Sequence, residues 1–443
     1  MYKFQFVGLL TETDMHIVFL QWSGYVSPTT LLILAIQSKK MYNISEIMSI
    51  FSDVRRWQMK KKVLFVATVV KTHIMQFHIP YLKLFQEAGW ETAVASRNDY
   101  ENPEDCVIPY CDIYYNIPFE RMPWKPKNLK AYRMLKEIID REHFDIIHCH
   151  TPVGALIARL AALDARKQGT RVIYTAHGFH FFTGAPAQYW LLFYPPERLL
   201  APVTDVLITI NREDYARARK RLPAKRIEYV PGVGIDTGKF RNLEVDRQAK
   251  RASLGFTDED FLMLTVAEMT PNKNHITVLK ALAALKDRTE FTHMHYLIVG
   301  RGEMWQSLER SAAELGISDH VHFLGYRADA PEFYRCCDQF VFMTFREGLS
   351  VALMEAMSSG MPIICTKIRG NTDLIEDDVS GRFCQNSPDA LAQILLQLYA
   401  DPEKRKNLGQ AASERSLLFD EKTIHARMKE IYFGEEAERC REH

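Results

Sequence analysis

From Lys62 onward the chain alternates short, uninterrupted apolar runs with amphipathic stretches, and this alternation limits the fold more than any other feature. A strand that is apolar at nearly every position is buried on both faces, the condition of a parallel sheet covered by helices on either side. The runs predict strands over 63–70, 92–95, 145–149, 171–175 and 206–210, and helices over 74–88, 129–141, 153–167, 187–200 and 212–219. Gly89 and Gly169 follow two of these helices, where a left-handed residue closes the last turn at little cost. At Val230-Pro231-Gly232-Val233-Gly234 the pattern pauses, in a composition that suits a hinge. A second series follows, with strands over 261–266, 296–299, 321–324, 339–342 and 362–365 and helices over 276–285, 304–315, 330–335 and 351–358; further helices run from 388 to 432. The fold class is therefore α/β, with two doubly wound domains at 59–232 and 233–420. Residues 421–443 form a C-terminal helix expected to pack back toward the first domain. Ligands of such sheets bind at the carboxyl ends of the strands, so two facing sheets define one cleft.

A length of 443 residues accommodates two large domains, and 47% hydrophobic with 25% charged residues excludes a disordered, collagenous or coiled-coil chain. The net charge of +1 offers no global attraction to nucleic acid, and no nucleic-acid partner is expected. Eight cysteines form no Cys-x-x-Cys pair and have apolar, strand-like neighbours; they read as buried reduced thiols of a cytoplasmic protein. No apolar run reaches the roughly 18 residues of a membrane-spanning helix. Residues 1–58 show no clear period and precede Met59-Lys60-Lys61-Lys62-Val63, which has the form of a natural start. They are expected to be an extension outside the core fold, from a misassigned start, with a helical appendage as the alternative.

The strongest chemical signal is Glu347-Gly348-Leu349-Ser350-Val351-Ala352-Leu353-Met354-Glu355-Ala356, directly after the strand 339–342. Two carboxylates eight apart straddle a glycine turn and a helix start. Ser350 suits the N-cap, and the free N–H groups of Leu349, Ser350 and Val351 form an anion site at the positive helix end. Glu355, one turn in, is placed to accept hydrogen bonds from vicinal hydroxyls. His148 and His150 share one face of a strand that ends at the cleft. Such a pair can bind metal, but no third ligand has clear spacing, so both are read as cleft-lining hydrogen-bonding groups and no metal is expected.

The segment Phe345-Arg-Glu-Gly-Leu-Ser-Val-Ala-Leu-Met-Glu-Ala-Met-Ser-Ser-Gly-Met-Pro-Ile-Ile resembles the signature of the family 4 retaining glycosyltransferases, which have two Rossmann-like domains, the GT-B fold. The likeness runs from Lys62 to about Tyr432. Phe77-His-Ile-Pro, Asp145-Ile-Ile-His-Cys-His-Thr-Pro, Tyr174-Thr-Ala-His-Gly-Phe-His-Phe-Phe and Asn272-Lys-Asn-His resemble a branch that builds bacterial capsule and exopolysaccharide. The resemblance implies a donor-sugar role for Glu347, ribose binding by Glu355, pyrophosphate binding by Lys273, and a sugar or acceptor contact by His177, with His180 a weaker candidate. Gly300, Gly302, Gly348, Tyr326 and Arg327 fall in loops that meet the nucleotide in relatives. Glu268 stands where the family has an arginine, so Lys273 and the helix amides must carry more of the diphosphate charge; Glu268 itself is assigned to orienting Lys273 or meeting a sugar hydroxyl.

The family's Gly-Gly turn after the first strand is replaced by Val70-Lys71-Thr72-His73-Ile74. His73, His78 and His150 are assigned to the acceptor side, with Arg121, Lys125 and Lys127 from a basic, aromatic segment that would dock a lipid diphosphate at an anionic membrane. The implied reaction moves a sugar from a nucleoside-diphosphate sugar, UDP-linked, to a polyprenyl-diphosphate-linked glycan at the inner face of the membrane, with retention and without a cofactor. Two alternatives stay open: a nucleotide-sugar epimerase of the same fold, and a non-catalytic nucleotide-sugar binding subunit.

Overall fold

The computed structural model describes residues 4–12, 15–22, 31–37 and 60–439, with side chains over 60–434. Met1–Lys60 and Lys61–His443 are separate compact units. The first unit holds three strands, β1 (Phe4–Glu12), β2 (Met15–Trp22) and β3 (Leu31–Gln37), paired antiparallel in that order. These strands were not foreseen in the sequence, and the remainder of 1–58, where the helical alternative could fall, lies outside the described residues.

The second unit contains two wholly parallel sheets. The first comprises β4 (Lys62–Val69), β5 (Glu91–Arg97), β6 (Ile113–Asn116), β7 (Ile146–His150), β8 (Arg171–Ala176), β9 (Val206–Thr209) and β10 (Arg226–Tyr229), in the order β10-β9-β8-β7-β4-β5-β6. The second comprises β11 (Phe261–Val266), β12 (Met294–Val299), β13 (Val321–Gly325), β14 (Gln339–Phe342), β15 (Ile363–Thr366) and β16 (Arg382–Cys384), in the order β13-β12-β11-β14-β15-β16. Strand order reverses where β4 meets β7 and where β11 meets β14. These are the switch points at which doubly wound sheets open a crevice.

All ten predicted strands form; β6, β10 and β16 were not foreseen. Each is at a sheet edge and mostly half-buried, so its residues need not be apolar at every position. The helix expected over 74–88 is a π-turn over Val70–Ile74, a short helix Met75–Phe77, and a longer one over Ile79–Glu87. Pro80 causes the break: it has no N–H to donate and its ring crowds the preceding turn. The stretch over 153–167 likewise divides into Pro152–Ala161 and Leu163–Lys167.

Both faces of each sheet are packed. The final helix, Glu421–Arg439, sets Ile424, Met428, Ile431 and Tyr432 into the core of the first sheet. Each fully buried side chain of this kind contributes roughly 1.5–3 kcal/mol. Arg171 on β8 donates to the carbonyls of Ile431 and Tyr432, at 2.8 and 2.9 Å, which anchors the helix to the strand. Cys149, Cys336, Cys337, Cys365 and Cys384 are buried free thiols, while Cys106 and Cys111 are partly exposed. No helix among the described residues is long and apolar enough to cross a membrane.

Candidate active site

In the second sheet, β14 runs into a loop and then the helix Val351–Ser358. Ser350 is the N-cap, its Oγ accepting from the Leu353 amide at 3.3 Å. The Glu347 carboxylate lies in the loop, its Oε1 accepting from Lys273 Nζ at 2.8 Å and from Thr344 Oγ1 at 2.8 Å. Lys273 closes a short 3-10 turn, Pro271–Lys273, after β11. Asn274 follows in the left-handed region at φ 52°, and its Nδ2 donates to the Met343 carbonyl at 3.0 Å. Asn272 Nδ2 donates to the Arg346 carbonyl at 3.0 Å. The loops leaving β11 and β14 are thus sewn together, which holds lysine and glutamate in register.

Glu355 sits on the capped helix and accepts from the Tyr334 hydroxyl at 2.9 Å. Burial pushes its carboxyl above the usual range, against the opposing effects of Tyr334 and Lys239. Leu349 and Val351, beside Ser350, are half-buried. The Glu268 side chain is exposed, and its carbonyl is met by His275 Nε2 at 3.2 Å. Gly300, at φ 150°, lies so close to the Ala267 carbonyl that no Cβ fits; Gly302 lies equally close to Met269. These two glycines let the turn after β12 nest against residues 267–269. Tyr326 is 74% exposed, and Arg327 is held by Asp329 through contacts of 2.8 and 2.6 Å.

In the first sheet, β7 ends at His150 and β8 leads to His177. His150 Nδ1 stands 3.3 Å from His177 Nε2. His73, from the turn after β4, and His78, at the helix break, complete a cluster with them. Burial pushes the His177 imidazole down to about 4. His78 and His150 are each only 1% exposed. His148 is also 1% exposed, and it bonds Thr175 Oγ1 and the Tyr432 hydroxyl, both at 2.8 Å. It is a satisfied core group beneath the last helix, so the reading of His148 as cleft-lining is corrected.

The two sheets meet at Gly348, where a Cβ would overlap the His177 carbonyl, and at Gly178, whose Cβ would come 3.2 Å from Gly348 Cα. Arg369, after β15, donates to the Phe179 carbonyl at 2.8 Å and pairs with Asp214 at 3.0 Å. The Arg212 amide donates to Asp373 Oδ1 at 2.8 Å. Beside this contact is a cavity of about 520 Å³ lined by His73, Arg121, Met122, Trp124, His180, Leu192 and, from the second sheet, Arg346. His180 stacks on Phe193, and burial together with Arg346 and Arg369 pushes its imidazole down to about 4. Lys125 and Lys127 are exposed and do not line this cavity; Lys127 pairs with Glu120 at 3.4 Å.

Sequence reasoning missed Thr344, Arg346, Arg369 and Asp214. Arg346 adjoins Glu347, and Arg369 precedes a glycine at the carboxyl end of β15; those were the available signals.

Two parallel sheets meeting at their carboxyl ends, with a lysine–glutamate pair beside a capped helix start, define a class: two-domain transferases of the GT-B fold. Comparison with known proteins narrows this. The model described as "Glycosyl transferases group 1" matches residues 246–415, and that of "Glycosyltransferase Family 4" matches 82–239. EpsD of Bacillus subtilis (strain 168), which bears a glycosyltransferase name, is 40% identical over 377 residues, 84% of this chain and 97% of the relative. The UDP-Gal:alpha-D-GlcNAc-diphosphoundecaprenol alpha-1,3-galactosyltransferase of Escherichia coli is 27% identical over 280 residues, covering 62% and 71% of the two chains. HepE of Anabaena, crystallised with UDP and glucose, superposes with a TM-score of 0.70 at 19% identity, over 84% of this chain and all of that one. The chain belongs to glycosyltransferase family 4 and is a glycosyltransferase.

Proposed function

We propose that the protein transfers a sugar from a UDP-sugar to a polyprenyl-diphosphate-linked glycan in exopolysaccharide or capsule synthesis, with retention at the anomeric carbon. The observation that carries this reading is the juxtaposition of the Glu347–Lys273 pair, 2.8 Å apart, with His177 across the contact at Gly348. The donor diphosphate would lie at the N-terminus of helix Val351–Ser358, facing the free amides beside Ser350, with Lys273 as its cation. Glu355 would accept from the ribose hydroxyls, and Glu347 and His177 would position the sugar. The sugar–phosphate bond breaks and a bond to the acceptor oxygen forms on the same face. The acceptor proton passes to the departing diphosphate oxygen, so no carboxylate need serve as a base.

The cavity of about 520 Å³ supplies the acceptor side, with Arg121 and Arg346 suited to a diphosphate. At its rim Trp124 is 62% exposed, Met122 51% and Leu192 43%, and Leu191, next in the chain to Leu192, is 80% exposed. An apolar rim of this kind suits a polyprenyl chain at a membrane surface, where the protein would bind peripherally. The E. coli relative, named for a diphosphoundecaprenol acceptor, supports the acceptor class, and HepE with bound UDP supports the donor. Incubation with a panel of UDP-sugars and polyprenyl-diphosphate sugars tests the reading. Transfer with retention, lost in Glu347→Ala with the fold intact, is expected. Full turnover in Glu347→Ala, or activity confined to other nucleotide sugars, overturns the corresponding part.

A further inference from the structure

His73, His78, His150 and His177 come from three segments, the stretch after β4 and the ends of β7 and β8, yet each places a ring nitrogen within 4.8 Å of those of the other three. Nothing in the proposed transfer requires so many imidazoles in one place. We propose that these four histidines bind a single Zn²⁺ ion.

The unpartnered nitrogens argue first. His73 Nε2, His78 Nδ1 and His78 Nε2 are buried and have no hydrogen-bond partner. A neutral imidazole carries one N–H and one lone pair, so His78 leaves both unmet whichever tautomer it adopts. Each unmet buried group is destabilising, and a coordinated cation satisfies every ligating lone pair. His148, on the same strand as His150 but outside the cluster, provides the contrast, since both its nitrogens are bonded.

Geometry argues second. Ring centroids are separated by 4.9 Å for His73–His177, 5.0 Å for His73–His78, 5.5 Å for His150–His177, 5.8 Å for His73–His150 and 6.0 Å for His78–His177. Four imidazoles around a tetrahedral ion with bonds of about 2.0–2.1 Å hold their centroids about 5 Å apart. The nitrogens of such a tetrahedron are about 3.3 Å apart, and His150 Nδ1 and His177 Nε2 are 3.3 Å apart. Coordination requires the stacked His78–His150 pair, at 3.8 Å, to open by about 1 Å and the His73–His150 and His78–His177 pairs to close by somewhat less. Four imidazoles without a thiolate or carboxylate suit zinc among tetrahedral ions. Bound through Nε2, His177 is fixed at the meeting of the two sheets, with Nδ1 left as its only N–H donor.

The test uses the full chain without a histidine tag, equilibrated with Zn²⁺, desalted and assayed for metal. About one zinc per chain is expected in the parent and in His180→Ala, which lies outside the cluster. Retention is expected to fall at least about tenfold in His78→Ala and His150→Ala. His73→Asn, at a half-buried position, gives the same reading if the core variants misfold, with circular dichroism reporting the fold. Replacement by Co²⁺ is expected to give the intense visible bands of a tetrahedral site. A parent that retains no more zinc than His78→Ala overturns the proposal, as does stabilisation of the parent by inorganic pyrophosphate and not by zinc. Glycosyl transfer is not the readout, so a negative result leaves the transferase reading untouched.

Discussion

Arg369 and Asp214 form an ion pair across the two parallel sheets, Nη1 to Oδ1 at 3.0 Å, with side chains 5% and 0% exposed. The same guanidinium donates to the carbonyls of Phe179 and Glu347. Asp214 also accepts from the Phe179 amide at 3.0 Å and from Asn211 at 2.9 Å. One arginine therefore links the exit of β8, the helix Arg212–Arg221 and the glutamate loop. Arg369→Ala leaves the buried Asp214 carboxylate with only the more distant Arg217, at 3.6 Å, and is expected to cost up to about 3–5 kcal/mol in urea unfolding. Transfer should also fall, because the Glu347 carbonyl loses its donor.

Gly348 is where the sheets come into contact, and there is no room there for a methyl group. Gly348→Ala is expected to force the two halves apart at His177, at an overpacking cost of about 1–3 kcal/mol. A drop in kcat/KM of at least about tenfold, with an increased radius of gyration by X-ray scattering, is the expected result. Wild-type kinetics would show that this contact is dispensable.

The raised pKa of Glu355 gives a pH dependence of defined sign. The folded state binds this proton more tightly than the unfolded state does. Stability therefore declines as pH rises from the ordinary carboxylate value to the raised one, and the loss is constant above it. Glu355→Gln should remove this slope, so the variant gains on the parent across that window in pH-dependent unfolding. Donor KM of the parent should fall as pH rises through the raised value, because the carboxylate is the form that accepts from ribose hydroxyls. Glu355→Gln should lack that fall.

Lys125 and Lys130 are exposed beside Trp124, whereas Lys127 is engaged by Glu120. Each lysine near an anionic membrane surface contributes about 1 kcal/mol. Lys125→Glu with Lys130→Glu is expected to weaken cosedimentation with anionic vesicles by at least about tenfold, and Trp124→Ser to weaken it independently of salt. Unchanged binding in both would remove the membrane surface from this face.

The central strands were legible because burial on both faces demands apolar residues at nearly every position, as in Phe261–Val266 and Ile363–Thr366. Of the edge strands, β13 was legible but β6, β10 and β16 were not, because β6 and β10, mostly half-buried, tolerate residues such as Asn116 and Glu228. The Ser350 cap and the Glu347 loop were legible because capping is a contract among residues three apart. Lys273 came from resemblance, and the structure adds its hydrogen bond to Glu347, 74 residues away.

Sequence by itself determined the two doubly wound sheets and the acid pair flanking a helix start, since each depends on neighbours or on a short period. Only the tertiary structure decided that His73, His78, His150 and His177 share one site, that His148 does not, and that Arg369 reaches Asp214 155 residues away. Those pairings depend on which strand ends the fold brings together and which way each ring turns when buried, and no local pattern along the chain encodes either.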